Sequence, residues 1–241
     1  MPRFYCPFAL TSGVEVELPE ALARHLQVLR MAPGDALELF DGRGGVYRAT
    51  LASLDRKRAS ARITAFEPDG VELPFALTLA QGLPEGSKMD WIVEKAVELG
   101  AAAIQPLAAQ RSVVRLSGER ADKRRAHWEG IVVAASEQCG RNTLARVAPV
   151  EAFERWIAAP SSTRRILLSP RATQSLAAWA AVTAPHDASI LIGPEGGFSD
   201  QEEELAIAHG ALALSMGPRV LRTETAGLAA LAALAALWGG M

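Results

Sequence analysis

The chain has 241 residues, 49% of them hydrophobic and 22% charged, which excludes a disordered or low-complexity protein and allows one large domain or two smaller ones. A net charge of −2, from 25 basic and 27 acidic residues, gives no bulk attraction for a polyanion. The longest strongly apolar run, residues 226–238, is 13 residues long, short of the roughly 20 that a membrane-spanning helix needs, and the opening residues read as a strand rather than a secretory leader, so a soluble cytoplasmic protein without a membrane partner is expected.

In chain order, the first 70 residues are rich in strand signals. Residues 14–18 alternate with period two. Residues 19–30 carry Leu22, Leu26 and Leu29 at helical spacing. Three short strands are predicted over 36–40, 46–51 and 59–66, separated by Asp41-Gly42-Arg43-Gly44-Gly45 and by Asp55-Arg56-Lys57-Arg58. This density of short strands predicts a small barrel, with residues 67–70 as linker.

From residue 75 the rhythm changes to alternating strands and helices. Strands are predicted over 75–81, 103–107, 165–168, 189–192 and 211–215. Helices are predicted over 87–99, 119–137, 151–159, 199–209 and 223–238. Trp91, Ala96 and Leu99 are expected on the inner face of the first helix, and Ser199 with Glu202 fits a capping box on the fourth. The pattern predicts a parallel sheet covered on both faces. The last helix is apolar on nearly all sides, which implies a core or a subunit interface. The expected domains are therefore 1–70 and 75–241.

Three segments carry chemistry. LIGPEGGFS (191–199) runs from a strand through a glycine-rich loop into a helix, the topology at which open α/β sheets bind ligands. It has neither the Gly-Lys-Ser/Thr of a phosphate-binding loop nor GxGxxG. LSMGPRVLRTETA (214–226) repeats the same strand–loop–helix arrangement and adds Arg219, Arg222, Glu224 and two threonines. Each loop alone could be an ordinary turn with a capped helix; two in succession predict a shared pocket. SEQCGRN (136–142) ends the long helix and offers Glu137, Gln138, Arg141 and Asn142, side chains of the kind that read base edges. Residues 110–146 hold eight basic against four acidic residues, a local basic face that competes with the plain reading of a solvated helix.

These segments, together with FDGRGG (40–45) and HLQVLRMAPGD (25–35), resemble the bacterial 16S rRNA uracil-N3 methyltransferase family of the SPOUT superfamily over essentially the whole chain. The resemblance implies an α/β fold: a trefoil-knotted SPOUT domain with a parallel sheet, preceded by a PUA-like β-barrel that helps bind RNA. It implies S-adenosyl-L-methionine as cofactor, a homodimer, and one uridine near the decoding centre of the small ribosomal subunit as target. Expected cofactor walls are Leu168; Ile192, Gly193, Pro194, Glu195, Gly196 and Gly197; Leu214, Ser215, Met216 and Gly217; and Leu221, Arg222, Thr223, Thr225 and Ala226. Arg111, Glu137, Gln138, Arg141 and Asn142 are the expected RNA contacts.

Uracil N3 carries a proton and is a poor nucleophile until it is lost. Arg222 is the expected cation for the anion spread onto O2 and O4, with Glu224 or Glu195 as base. His25, His127, His186 and His209 share no metal-binding or triad spacing, and Cys6 and Cys139 are too few for zinc, so no metal is expected. Two other classes fit the same segments: a methyltransferase acting on another nucleotide, such as a tRNA ribose 2′-OH, and a non-catalytic rRNA-binding assembly factor.

Overall fold

The computed structural model describes residues 1–68 and 70–240; Asp69, part of the expected linker, lies outside them. The chain divides into two compact units, Met1–Glu72 with Ser136–Leu144, and Leu73–Ala135 with Ala145–Met241. Among the described residues no helix is long and apolar enough to cross a membrane.

The first unit contains β1 (Arg3–Tyr5), β2 (Glu15–Glu17), α1 (Glu20–Val28), β3 (Ala36–Phe40), β4 (Val46–Leu54) and β5 (Ala59–Glu67). They form one five-stranded sheet in the order β1-β3-β4-β5-β2. Strand β1 runs parallel to β3, and the other pairs are antiparallel. Alternation is the cause: Ala59, Ala61 and Ile63 point one way into a core shared with Leu37, Leu39 and Leu51, while Ser60 and Arg62 point out. Leu22, Ala23 and Leu26 set the buried face of α1 against that core. Register shifts between Arg48 and Ala49 and between Leu51 and Ser53 bend the β4–β5 pair.

The expected boundary at residue 70 missed a return of the chain. Residues 136–144 join this unit because their backbone pairs with the β3–β4 connection: Gly44 N–H donates to Asn142 O at 3.2 Å and Leu144 N–H to Gly42 O at 3.3 Å.

The second unit contains β6 (Leu77–Gly82), α2 (Lys88–Glu98), β7 (Ala103–Ala108), most of α3 (Gly118–Cys139), β8 (Arg146–Val147), β9 (Glu151–Ala152), α4 (Phe153–Ala158), β10 (Arg164–Leu168), α5 (Leu176–Ala180), β11 (Ala188–Ile192), α6 (Asp200–Ala208), β12 (Leu212–Leu214) and α7 (Thr223–Leu237). Its sheet has the order β12-β10-β11-β6-β7-β8, with β9 also on β7. Every pair is parallel, as strands joined through helices require. Helix α7 packs on α2, α5, β6 and β11. It approaches closely at Gly227, where a Cβ would stand 2.8 Å from Leu79 Cδ1.

Helix α2 corrects one expectation. Its buried residues are Met89, Ile92, Val93, Ala96 and Val97, a stripe at i, i+3, i+4, i+7 and i+8. Trp91 falls outside that stripe and is 46% exposed, and Leu99, at the C-cap, is only half-buried. Helix α4 starts two residues later than predicted, because Glu151 and Ala152 extend along β7 instead.

Candidate active site

The carboxyl ends of β10, β11 and β12 open into one cavity of about 620 Å³. Its floor is the loop after β11. At Gly193 the backbone folds so tightly that a Cβ would lie 2.6 Å from Phe198 N and 2.7 Å from Gly197 C, which only glycine permits. Gly197 N–H donates to Pro194 O at 2.8 Å and closes the turn. Ser199 then caps α6 in the expected capping box with Glu202, whose other oxygen accepts from Gln110 N–H at 2.7 Å.

Side chains from four other segments hold this loop. The Thr223 hydroxyl, at the start of α7, donates to Gly193 O at 2.6 Å. Gln81, at the end of β6 and fully buried, donates from Nε2 to Thr223 Oγ1 at 2.8 Å and to Gly82 O at 3.0 Å. Arg111 Nη1 donates to Gly196 O at 3.0 Å and to Phe198 O at 3.2 Å. Lys88 Nζ reaches Glu195 Oε1 at 2.5 Å, and Glu85 N–H donates to the same oxygen at 3.0 Å. Partial burial pushes the Glu195 carboxyl up, but the Lys88 ammonium and the N–H donors outweigh it and hold the carboxyl below its ordinary range.

The loop after β12 is built differently. Residues 217–220 are exposed, Val220 by 80%, and residues 216–221 make no hydrogen bond to any described residue. It is fixed only at its ends, by the Ser175–Ser215 bridge and by Thr223. Exposed Arg222 is the N-cap residue of α7. A third wall follows β10: Ser169 Oγ donates to Glu203 Oε2 at 3.0 Å, and Arg171 pairs with Asp200 at 2.7 Å and Glu203 at 2.9 Å.

Of the expected cofactor walls, Leu168, Ile192, Gly193, Pro194, Glu195, Gly196, Gly197, Met216, Gly217, Leu221, Arg222, Thr223 and Ala226 line the cavity. Leu214, Ser215 and Thr225 do not, nor does Glu224, whose Oε2 is buried without a partner.

One family model, an RNA methyltransferase domain, matches residues 71–235, and a second, an RNA methyltransferase PUA domain, matches residues 18–64. A Bacillus subtilis protein named ribosomal RNA small subunit methyltransferase E is 34% identical over 87% of this chain and 84% of its own length. The chain belongs to the ribosomal RNA small subunit methyltransferase E family. A crystal structure of that enzyme from Neisseria gonorrhoeae, bound to S-adenosyl methionine, is 40% identical with a TM-score of 0.90 and covers 99% of this chain and 98% of its own. A Legionella pneumophila methyltransferase in complex with the same cofactor is 35% identical with a TM-score of 0.91, over 98% and 97% of the two chains. For a member of this family, the residues missed by sequence reasoning are Ser169, Pro170, Arg171, Phe198, Asp200, Glu203, Arg219 and Val220 in the lining and Gln81 behind it. Ser169 to Arg171 carried a usable signal, since they follow a parallel strand as Gly193 does.

The basic segment 110–146 is largely committed to internal partners. Besides Arg111, Arg115 donates to Ala109 O and Gln110 O, Lys123 pairs with Glu119, and Arg125 binds Glu129 and Val147 O. Within the N-terminal unit, Arg141 is buried and pairs with Glu72 at 2.6 Å, and buried Asn142 accepts from Arg3 at 2.7 Å. Glu137 accepts from Tyr5 N–H at 2.8 Å, while burial raises its carboxyl above the usual range. Gln138 is exposed. Burial pushes the Cys6 thiol up to about 12, which leaves it a packing residue.

Proposed function

We propose that the protein transfers a methyl group from S-adenosyl-L-methionine to N3 of a uridine in 16S rRNA of the small ribosomal subunit. The observation that carries this reading is the single cavity made by two successive glycine-bearing loops at the carboxyl ends of parallel strands. Its size lies within the few-hundred to thousand Å³ range of small-molecule sites. Solved relatives at 35–40% identity bind that cofactor.

The residues present fit the cofactor. Gly193, Gly196 and Gly197 present backbone without side chains to the cavity, and Leu168, Met216, Leu221 and Ala226 supply apolar walls. When bound, S-adenosylmethionine supplies a methyl group already activated on a sulfonium. The chain's task is then to orient donor and acceptor and to handle the N3 proton. Arg222, exposed at the rim, is the cation for charge on uracil O2 and O4. Glu195 lines the cavity and is kept ionised by Lys88, so it is the carboxylate placed to accept the proton. Glu224 stands in the first turn of α7, where the helix dipole favours its charge.

Three further features belong to the same reading. The path of α7 from the edge strand β12 back over β11 and β6, against α5, supports a knotted SPOUT chain. The unanchored loop 216–221 and exposed Val220 support a homodimer in which a second copy completes the site. The PUA match supports RNA binding by the N-terminal unit, in the cytoplasm where ribosomal subunits are substrate. Gln138 is the member of 136–142 left exposed for that purpose.

The test is mass spectrometry of nucleosides from 16S rRNA of a strain lacking the gene. Loss of 3-methyluridine, restored by the intact gene, is the expected result. Unchanged 3-methyluridine with a different methylated nucleoside missing would assign another target.

A further inference from the structure

We infer, building on the rRNA reading above, that the end of the N-terminal unit formed by the β4–β5 turn and the last turn of α1 grips the sugar-phosphate backbone of the substrate RNA. Asp55 N–H donates to Arg58 O at 2.7 Å, so Arg56 and Lys57 sit at the tip of a tight turn. Such turns favour Asn, Asp and Gly. Three consecutive like charges repel one another here, and no local hydrogen bond in the unit requires them. Gln27 Nε2 donates to Asp55 O at 2.6 Å and docks α1 beside the turn.

One helical turn further along lies the second observation. Helix α1 ends in paired bonds from Arg30 N–H to Gln27 O and from Met31 N–H to Leu26 O, a closure that puts the residue after the C-cap Leu29 in the left-handed region. That residue is Arg30, at φ 58°, where glycine is the unstrained choice. Among the described residues it is the one non-glycine with positive φ. A cation held at a positive φ, three residues after the Gln27 that docks on the turn, points to a contact outside the chain.

The charges are available. Arg30, Arg56, Lys57 and Arg58 are exposed and form no ion pair with a described residue. Asp55, exposed in the same turn, forms no ion pair with a described residue, so one carboxylate stands against the three cations of the turn. On α3, by comparison, Lys123 and Arg125 each pair with a helix neighbour, and exposed Arg120 forms no ion pair with a described residue. In a chain of net charge −2, a local cluster of this kind is what draws in a polyanion. Val28 and Leu29, 79% and 46% exposed, add apolar surface next to Arg30 that suits ribose and base faces better than a carboxylate-rich peptide.

The experiment measures binding of naked 16S rRNA to the full-length protein by filter retention from 50 to 200 mM KCl. In the variant Arg56→Ser/Lys57→Ser/Arg58→Ser the affinity at low salt falls roughly tenfold or more, and the slope of log affinity against log salt flattens by about 2 to 3, as three phosphate contacts predict. Arg30→Gly separates contact from folding: it raises the thermal midpoint by relieving the positive φ, yet weakens binding and flattens the slope by just under one. Lys123→Ala leaves the slope unchanged. Wild-type slopes in both the triple variant and Arg30→Gly overturn the assignment. So does a loss seen with assembled subunits but not with naked rRNA, which would move the contact to a ribosomal protein. If the wild-type protein binds neither naked rRNA nor assembled small subunits while retaining cofactor binding, the rRNA reading itself fails.

Discussion

The two loops that form the cavity have the same sequence logic and opposite physics. The loop after β11 is tied by Thr223, Arg111, Lys88 and the Glu85 N–H, and Gln81 secures Thr223 in turn. The loop after β12 has the same strand–glycine–helix plan, yet residues 216–221 hang between fixed ends without a hydrogen bond of their own. A ligand therefore meets one wall whose ordering cost is already met by the fold and one wall that lacks such ties. Damage to the first wall should be large and should appear in cofactor affinity. Damage to the second should be small.

Gly193→Ala against Gly217→Ala is the sharpest form of that contrast. The added Cβ at Gly193 would run into backbone atoms of Gly197 and Phe198 at 2.6 to 2.8 Å, so the loop itself must move. Cofactor affinity by calorimetry should fall about 100-fold or more, near 2.7 kcal/mol. At Gly217, φ is +94° but nothing lies within 4 Å, leaving backbone strain of about 1 kcal/mol and a loss of about fivefold or less. Equal losses at the two glycines would show that the walls are ordered alike.

Gln81→Leu tests the tie behind the anchored wall. The change removes two buried hydrogen bonds, to Thr223 Oγ1 and Gly82 O. It also removes Oε1, a buried acceptor with no partner. A net loss of about 1–2 kcal/mol in chemical denaturation is expected, with cofactor affinity down about tenfold. Affinity equal to wild type would mean that Thr223 holds Gly193 unaided.

Much of this site was legible in the sequence because it is local. Gly193 to Gly197 and Thr223 to Ala226 each follow a strand and open a helix, and periodicity finds those elements without tertiary information. The all-parallel sheet followed from the same alternation. Helix α5, of five residues, and β8, of two, are too short to display a period. Gln81 looked like the polar end of an apolar strand, because its partner Thr223 lies 142 residues away. Arg141 and Asn142 were read as free hydrogen-bonding groups for the same reason: Glu72 and Arg3, which hold them, are 69 and 139 residues distant. Charges counted along 110–146 likewise give no sign that Arg141 is buried against Glu72 or that Arg111 and Arg115 bond to backbone carbonyls.

Lys88→Met gives the smallest effect and probes a single anchor of the ordered wall. In the native protein the Glu195 carboxyl titrates below its ordinary range, so its contribution is present at and above the usual carboxylate pKa and is lost only as pH falls through the lower, folded value. Burial acts in the other direction, and without the ammonium only the N–H donors oppose it. The folded pKa then rises, and the acid side of the stability profile should move to higher pH while the neutral plateau changes little, because the pair is partly exposed and weak in water. Thermal midpoints recorded from pH 3 to 7 read this directly. Superimposable acid limbs in the two proteins would mean that the N–H donors of Glu85 and Glu195 hold Glu195 ionised without Lys88, and that the loop after β11 keeps its geometry without a cation.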